Sequence, residues 1–155
     1  MTHKLQWLCS SMCILLFINS CNTNDNDPCA NVEPNTQFFS IELVDADGNN
    51  LIENNIYNRS DIQVLLNGNI IGGVPDTALP TNYIVLELLL GGDKVIADVM
   101  LSVTETDKLT LSVLEGEPGD CGFTILTVTE AIYNGFQQNI TLDNEVQIQK
   151  IIVVK

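Results

Sequence analysis

Histidine and tryptophan are close to absent: there is one of each, His3 and Trp7, both within the first seven residues. Everything after them lacks an imidazole. Ser-His-Asp and Cys-His catalysis need that ring as a base, and histidine-containing zinc sites need it as a ligand. A tryptophan platform for stacking sugars is missing too, although Tyr57, Tyr83 and Tyr133 remain. Cations are scarce: six Lys and Arg stand against 20 Asp and Glu, for a net charge of −14. Nucleic acids are bound through Lys and Arg that replace condensed counterions, so this balance excludes a nucleic-acid partner. Long apolar runs are also lacking. A spanning helix takes ~20 mostly apolar residues; the greasiest stretch here runs from Cys13 to Ile18, with Gln6, Ser10 and Ser11 interrupting what precedes it.

What is present begins with a leader. Lys4 precedes the apolar region, and Asn19 and Ser20 lead into Cys21. That is the three-part layout of a secretory signal peptide; the competing reading is a buried N-terminal helix of a cytosolic protein. The tetrad "INSC", with Ile18, Asn19 and Ser20 before Cys21, resembles a bacterial lipobox. The resemblance implies cleavage before Cys21, whose thiol then carries a diacylglyceryl group and usually an N-acyl chain. One acyl chain holds a membrane marginally, whereas two or more hold stably. The following "NTNDND", with Asp25 and Asp27, resembles the acidic export signal of Bacteroidetes lipoproteins, which implies display on the cell surface of the outer membrane. A periplasm-facing lipoprotein is the alternative. The same residues read as a solvated linker, since Asn- and Asp-rich segments bury too little apolar surface to order themselves.

The chain thus divides into a signal peptide (1–20), a lipidated cysteine with a disordered acidic tether (21–36) and one domain (37–155). All 20 acidic residues lie beyond the leader and Lys4 is lost with it, so five basic residues remain against 20 acidic, a net charge of −15. An anionic leaflet repels such a chain, so lipid on Cys21 must supply the membrane attachment. Cys9 and Cys13 leave with the leader. Cys29 and Cys121 remain, and two thiols in an oxidising compartment form one disulfide or stay as two buried free thiols.

The domain reads as strands. "FFSIELV" puts Phe39, Ile41 and Leu43 on one face, and "DIQVLL" does the same with Ile62, Val64 and Leu66. Asn67–Gly68 fits a tight hairpin into "IIGG", because both central positions tolerate positive φ. "YIVLELLL" is more continuously apolar, as a central strand buried on both faces would be. "KVIADVMLSVT" alternates through Val95, Ala97, Val99, Leu101 and Val103, and "KLTLSVL" through Leu109, Leu111 and Val113. The loop "EGEPGDCG", the strand "FTILTVTEAIY", a second Asn-Gly turn at Asn134–Gly135 and the strand "EVQIQKIIVV" complete the chain. About eight short strands with regular turn signals predict an all-β fold, an antiparallel β-sandwich of immunoglobulin-like architecture, with a jelly roll or small barrel as the alternative.

Three loops carry candidate chemistry. In "DADGNNLIE", Asp45, Asp47 and Asn49 offer oxygens at alternate positions, as a calcium loop begins. The EF-hand pattern then needs Gly at its sixth position and Glu at its twelfth, where this chain has Asn50 and Ile56. Asp, Gly and Asn are equally what a turn requires. Glu115, Glu117 and Asp120 gather on one loop, as an acid–base pair for glycoside hydrolysis would or as a solvated acidic loop would. Asp76-Thr77-Ala78 resembles the O-glycosylation motif of Bacteroidetes, with Thr77 as acceptor; Asn58 and Asn139 head eukaryotic-type N-glycan triplets.

"DADGNNLIENNIYN" and "CGFTILTVTEAIYNG", behind such a leader, resemble the β-sandwich domains of small surface lipoproteins of the Bacteroidetes. The lipobox resemblance implies membrane attachment, and with the acidic tether and the lack of catalytic residue types the reading is a non-catalytic binding or assembly module for a protein or glycan partner, with no cofactor. A carboxylate-only hydrolase on envelope or extracellular glycan, and a structural envelope component, are the alternatives.

Overall fold

The computed structural model describes residues 37–76, 82–89, 91–118 and 121–155. The expected leader, the tether with Cys21 and Cys29, Thr77 and Asp120 lie outside the described residues. Among the described residues ten strands follow in chain order: β1 Gln37–Val44, β2 Gln63–Leu66, β3 Asn69–Gly73, β4 Ile84–Leu88, β5 Lys94–Met100, β6 Thr106–Glu115, β7 Leu126–Tyr133, β8 Phe136–Gln138, β9 Thr141–Asp143 and β10 Ile148–Val154. A 3₁₀ turn, Arg59–Asp61, is capped by Asn58, whose side chain accepts from the Ser60 N–H. Among the described residues no helix is long and apolar enough to cross a membrane.

Alternation explains most of these elements. Along β6, Asp107, Leu109, Leu111 and Val113 are buried while Lys108 is exposed and Thr110 and Ser112 are half-buried. Both Asn-Gly pairs make the expected turns: Asn67 and Gly68 (φ 52° and 82°) close the β2–β3 hairpin, Asn134 and Gly135 (φ 50° and 84°) the β7–β8 hairpin. Positive φ at both central positions matches the turn to the twist of the strands.

The strands form one mixed sheet in the order β8-β7-β6-β5-β2-β3-β4-β1-β10-β9. The fold is all-β and sandwich-like, with three departures in detail. First, β1 and β10 pair in parallel, Phe39 opposite Gln149 through Val44 opposite Val154, whereas the other neighbours are antiparallel. No hairpin joins these two strands, so turn geometry does not dictate their relative direction. Second, β8 and β9 are three residues each, too short to show a period of two. Third, Val103 is 91% exposed. Strand β5 ends at Met100, and Val103 sits in the following turn, where Ser102 Oγ accepts from the Thr104 and Glu105 N–H groups.

Strands β8 and β9 stand at opposite ends of the ten-strand order, yet only Asn139 and Ile140 separate them. Three Cα steps reach ~11 Å at most. The sheet must therefore roll until its two ends meet. It stays unclosed by ladder hydrogen bonds, and it wraps one core that includes Phe39, Ile41, Leu86, Leu109, Leu111 and Ile151.

Candidate functional site: the seam of the rolled sheet

Strand β7 pairs with β8 only through Ala131–Tyr133. Among the described residues no strand is hydrogen-bonded to the outer edge of its first half, and two glutamines, one from β1 and one from β10, serve it instead. Gln37 Oε1 accepts from the Leu126 N–H (2.5 Å) while its Nε2 donates to the Thr124 carbonyl (2.7 Å). Gln149 Oε1 accepts from the Val128 N–H (2.8 Å) and its Nε2 donates to the Val128 carbonyl (3.0 Å). A side-chain amide carries the donor and acceptor of a peptide group, so each glutamine imitates one step of a ladder. Both reach across because they share the inward phase of their strands, Gln37 with Phe39 and Ile41, Gln149 with Ile151 and Val153.

Beside this edge lies a groove of about 700 Å³, lined by the two glutamines together with Leu126, Thr127, Thr141 and Ile148, and rimmed by Ile125 and Leu142. None of its described lining residues is ionisable. Its volume lies within the ~300–1,000 Å³ typical of ligand sites. Ile125 and Leu142 remain exposed.

The other end of the seam is polar. Asp107 Oδ2 accepts from Tyr133 Oη (2.8 Å) and Lys155 Nζ (2.7 Å), and Oδ1 accepts from Asn134 Nδ2 (2.8 Å). Lys155 also pairs with Glu105 (2.6 Å), which accepts from the Tyr57 hydroxyl (3.1 Å). Burial opposes charge on Asp107, but hydrogen bonds from Asn134, Lys155 and Tyr133 outweigh it and hold the carboxyl below its ordinary range. Burial likewise opposes charge on Lys155, and its bonds to Asp107 and Glu105 hold it above its ordinary range. Burial first, then the Asp107 carboxylate, pushes the Tyr133 phenol far up. A smaller hollow of about 370 Å³ opens beside this network, lined by Tyr133, Phe136, Ile152, Val154 and Lys155 among others.

A second cation cluster sits on β10. Lys150 Nζ donates to Tyr83 Oη (2.8 Å) and Glu42 (3.1 Å), lies 3.2 Å from Asp143, and stands 4.5 Å from the centre of the Tyr83 ring. Burial pulls its pKa down, and these partners more than reverse that.

The other expected site residues are dispersed. Asp45 Oδ1 accepts from the Asp47 N–H (2.9 Å), the Asn49 N–H (2.8 Å) and Asn49 Nδ2, so its carboxylate organises its own turn. Among the described residues no group of three or more His, Cys, Asp or Glu is placed to hold a metal ion. Glu115 accepts from the Gly91 N–H (2.8 Å), and Glu117 is exposed. Cys121 is disulfide-bonded. Non-reduced digestion is expected to yield one cross-linked peptide pair containing Cys29 and Cys121; two alkylatable thiols in denatured, unreduced protein would refute the bridge.

Gln37, Gln149 and Asp107 were not singled out by motif. Their signal is positional: each is polar yet sits in phase with buried aliphatic residues. Together these features define an all-β domain of a rolled, open-sheet class whose seam has an uncharged groove at one end and an ion-paired network at the other. Comparison with protein-family models, with curated proteins and with solved structures found no match.

Proposed function

We propose that this protein is a lipoprotein anchored by acyl chains on Cys21 and displayed at the outer surface of a bacterial outer membrane. Its β domain is a non-catalytic binding or assembly module that takes a protein or glycan partner at the seam. The observation that carries the binding reading is the groove itself: a described lining without charge, an exposed apolar rim and a strand edge served, among the described residues, by side chains, on a chain whose net charge is −14. The lipobox-like "INSC" and the acidic "NTNDND" support the address.

Mass spectrometry of the mature protein is expected to find residues 1–20 removed and Cys21 acylated, and Cys21→Ser to release the chain from membranes. An unmodified N-terminus overturns the anchor, and resistance to protease on intact cells overturns surface display. For the module, a photoreactive residue at Leu142 is expected to capture a partner on intact cells, where one at Ile96, exposed on β5, does not. Equal capture at both positions, or at neither together with an empty glycan array, overturns the reading.

A further inference from the structure

The seam edge has the repeat of a strand waiting for another. In an antiparallel ladder, alternate residues direct their N–H and C=O to the same side. Here Thr124 O, Leu126 N, Val128 N and Val128 O all face the seam and are satisfied by the amides of Gln37 and Gln149. Side-chain amides can rotate away and bond to water, whereas backbone partners cannot. An incoming extended backbone can therefore replace them bond for bond, leaving no buried group unsatisfied.

Resting on the binding reading above, we propose that the seam takes an extended peptide segment of a partner protein, added as a strand along the outer edge of β7. Alternate side chains of an added strand point to the same face, so every second residue meets the groove beneath, where Ile125, Leu142 and Ile148 offer apolar contact. Backbone bonds then supply affinity and these subsites supply selectivity. Charge narrows the partner further. The described lining holds no ionisable group, so residues inside the groove are uncharged. The surrounding chain is strongly acidic, so Lys or Arg flanking the segment completes the match. An anionic ligand finds no cation in this lining, and a sugar finds Phe38 as its sole described aromatic.

The test uses the full lipidated chain in detergent micelles and a fluorescein-labelled peptide, acetyl-Lys-Val-Thr-Val-Thr-Val-Lys-amide. Saturable binding is expected, with slowed deuterium exchange at the Leu126 and Val128 amides. N-methylation of alternate peptide residues is the deciding comparison. Methylating the parity that faces β7 is expected to weaken binding about tenfold or more, through two or more lost hydrogen bonds. Methylating the other parity should leave affinity within about twofold. Only the peptide is altered, so loss of the protein's fold cannot mimic the result. Equal weakening at both parities overturns strand addition, as does protection confined to amides outside 124–130. Sedimentation showing a dimer that the peptide dissociates makes a second copy the occupant and overturns the partner assignment. No peptide binding, with a partner still captured through Leu142, overturns strand addition and leaves the module standing; loss of both overturns both.

Discussion

Replacing Asp107 by alanine is expected to lower the unfolding free energy by about 3–5 kcal/mol, as removing one member of a buried ion pair does. For a domain of this size that is a melting-temperature drop of roughly 10–20 °C. The Asp107 side chain is 8% exposed and serves three donors at once. Truncation leaves the Tyr133 hydroxyl buried without its acceptor and takes from Lys155 one of its two carboxylate partners, the other being Glu105. Asp107→Asn keeps an acceptor and the shape, so its loss should be smaller, about 1–3 kcal/mol. The pH dependence follows from the direction of the shifts. The folded-state pKa of Asp107 is lowered from 3.8. Its contribution is therefore complete above the unfolded value and is lost as pH falls through the folded one. The wild type should lose stability below about pH 4, and Asp107→Asn should lose less over that window. Lys155 is raised, so its share is complete below the unfolded lysine value and disappears as pH rises through the folded one. Melts followed by circular dichroism across pH check both. A drop under ~3 °C for Asp107→Ala at neutral pH would show that the network does not hold this end of the core.

The second large effect is at Gly72. It pairs with Val64 on one side and Leu86 on the other. A β-carbon there would stand 2.3 Å from the Val85 carbonyl oxygen and 2.7 Å from Leu86 Cα. Both are backbone atoms of the adjacent strand, so no rotamer change relieves the clash and β3 must part from β4. Gly72→Ala should therefore cost about 3 kcal/mol, at the upper end of overpacking effects. Gly68→Ala is the comparison. It meets no atom within 4 Å but sits at φ 82°, where only left-handed strain of about 1 kcal/mol applies. Equal denaturation midpoints for the two variants would remove close strand approach as the reason for glycine at position 72.

The same period of two that located the strands also held the clues that motif reading passed over. Phe39, Ile41 and Leu43 in one phase mark β1 without ambiguity, and Gln37 in that phase already marks an amide facing inward. Asp107 stands in the same relation to Leu109 and Leu111, as Lys155 does to Ile151 and Val153. What alternation could not supply was partnership. Local pattern says which face of a strand is buried, and hairpin residues such as Asn67–Gly68 say which neighbours follow in antiparallel. The β1–β10 pairing has no turn to announce it, because Glu42 and Lys150 are 108 residues apart. Phe136–Gln138 and Thr141–Asp143 carry too few residues for any period. The bulge between Ser112 and Val113 also shifts the β6–β7 register, so β7 keeps Leu126 and Val128 in one phase and Ala131 and Tyr133 in the other. The seam, which depends on these long-range facts, was legible only as isolated polar residues in apolar rows.

The parallel pairing of β1 with β10 has a temporal meaning. Strand β1 needs β10 as a neighbour, so one side of it stays open until Ile148–Val154 have emerged. Hairpins such as β2–β3 and β5–β6 can form while the chain is still incomplete, but the core cannot close over Ile41 until Ile151 arrives. Folding is then committed late and limited by closure of a very large loop, which places it toward the slow, millisecond-to-second end for domains of this size. A chain threaded across a membrane from its N-terminus would reach the far side still unfolded and fold there as a whole.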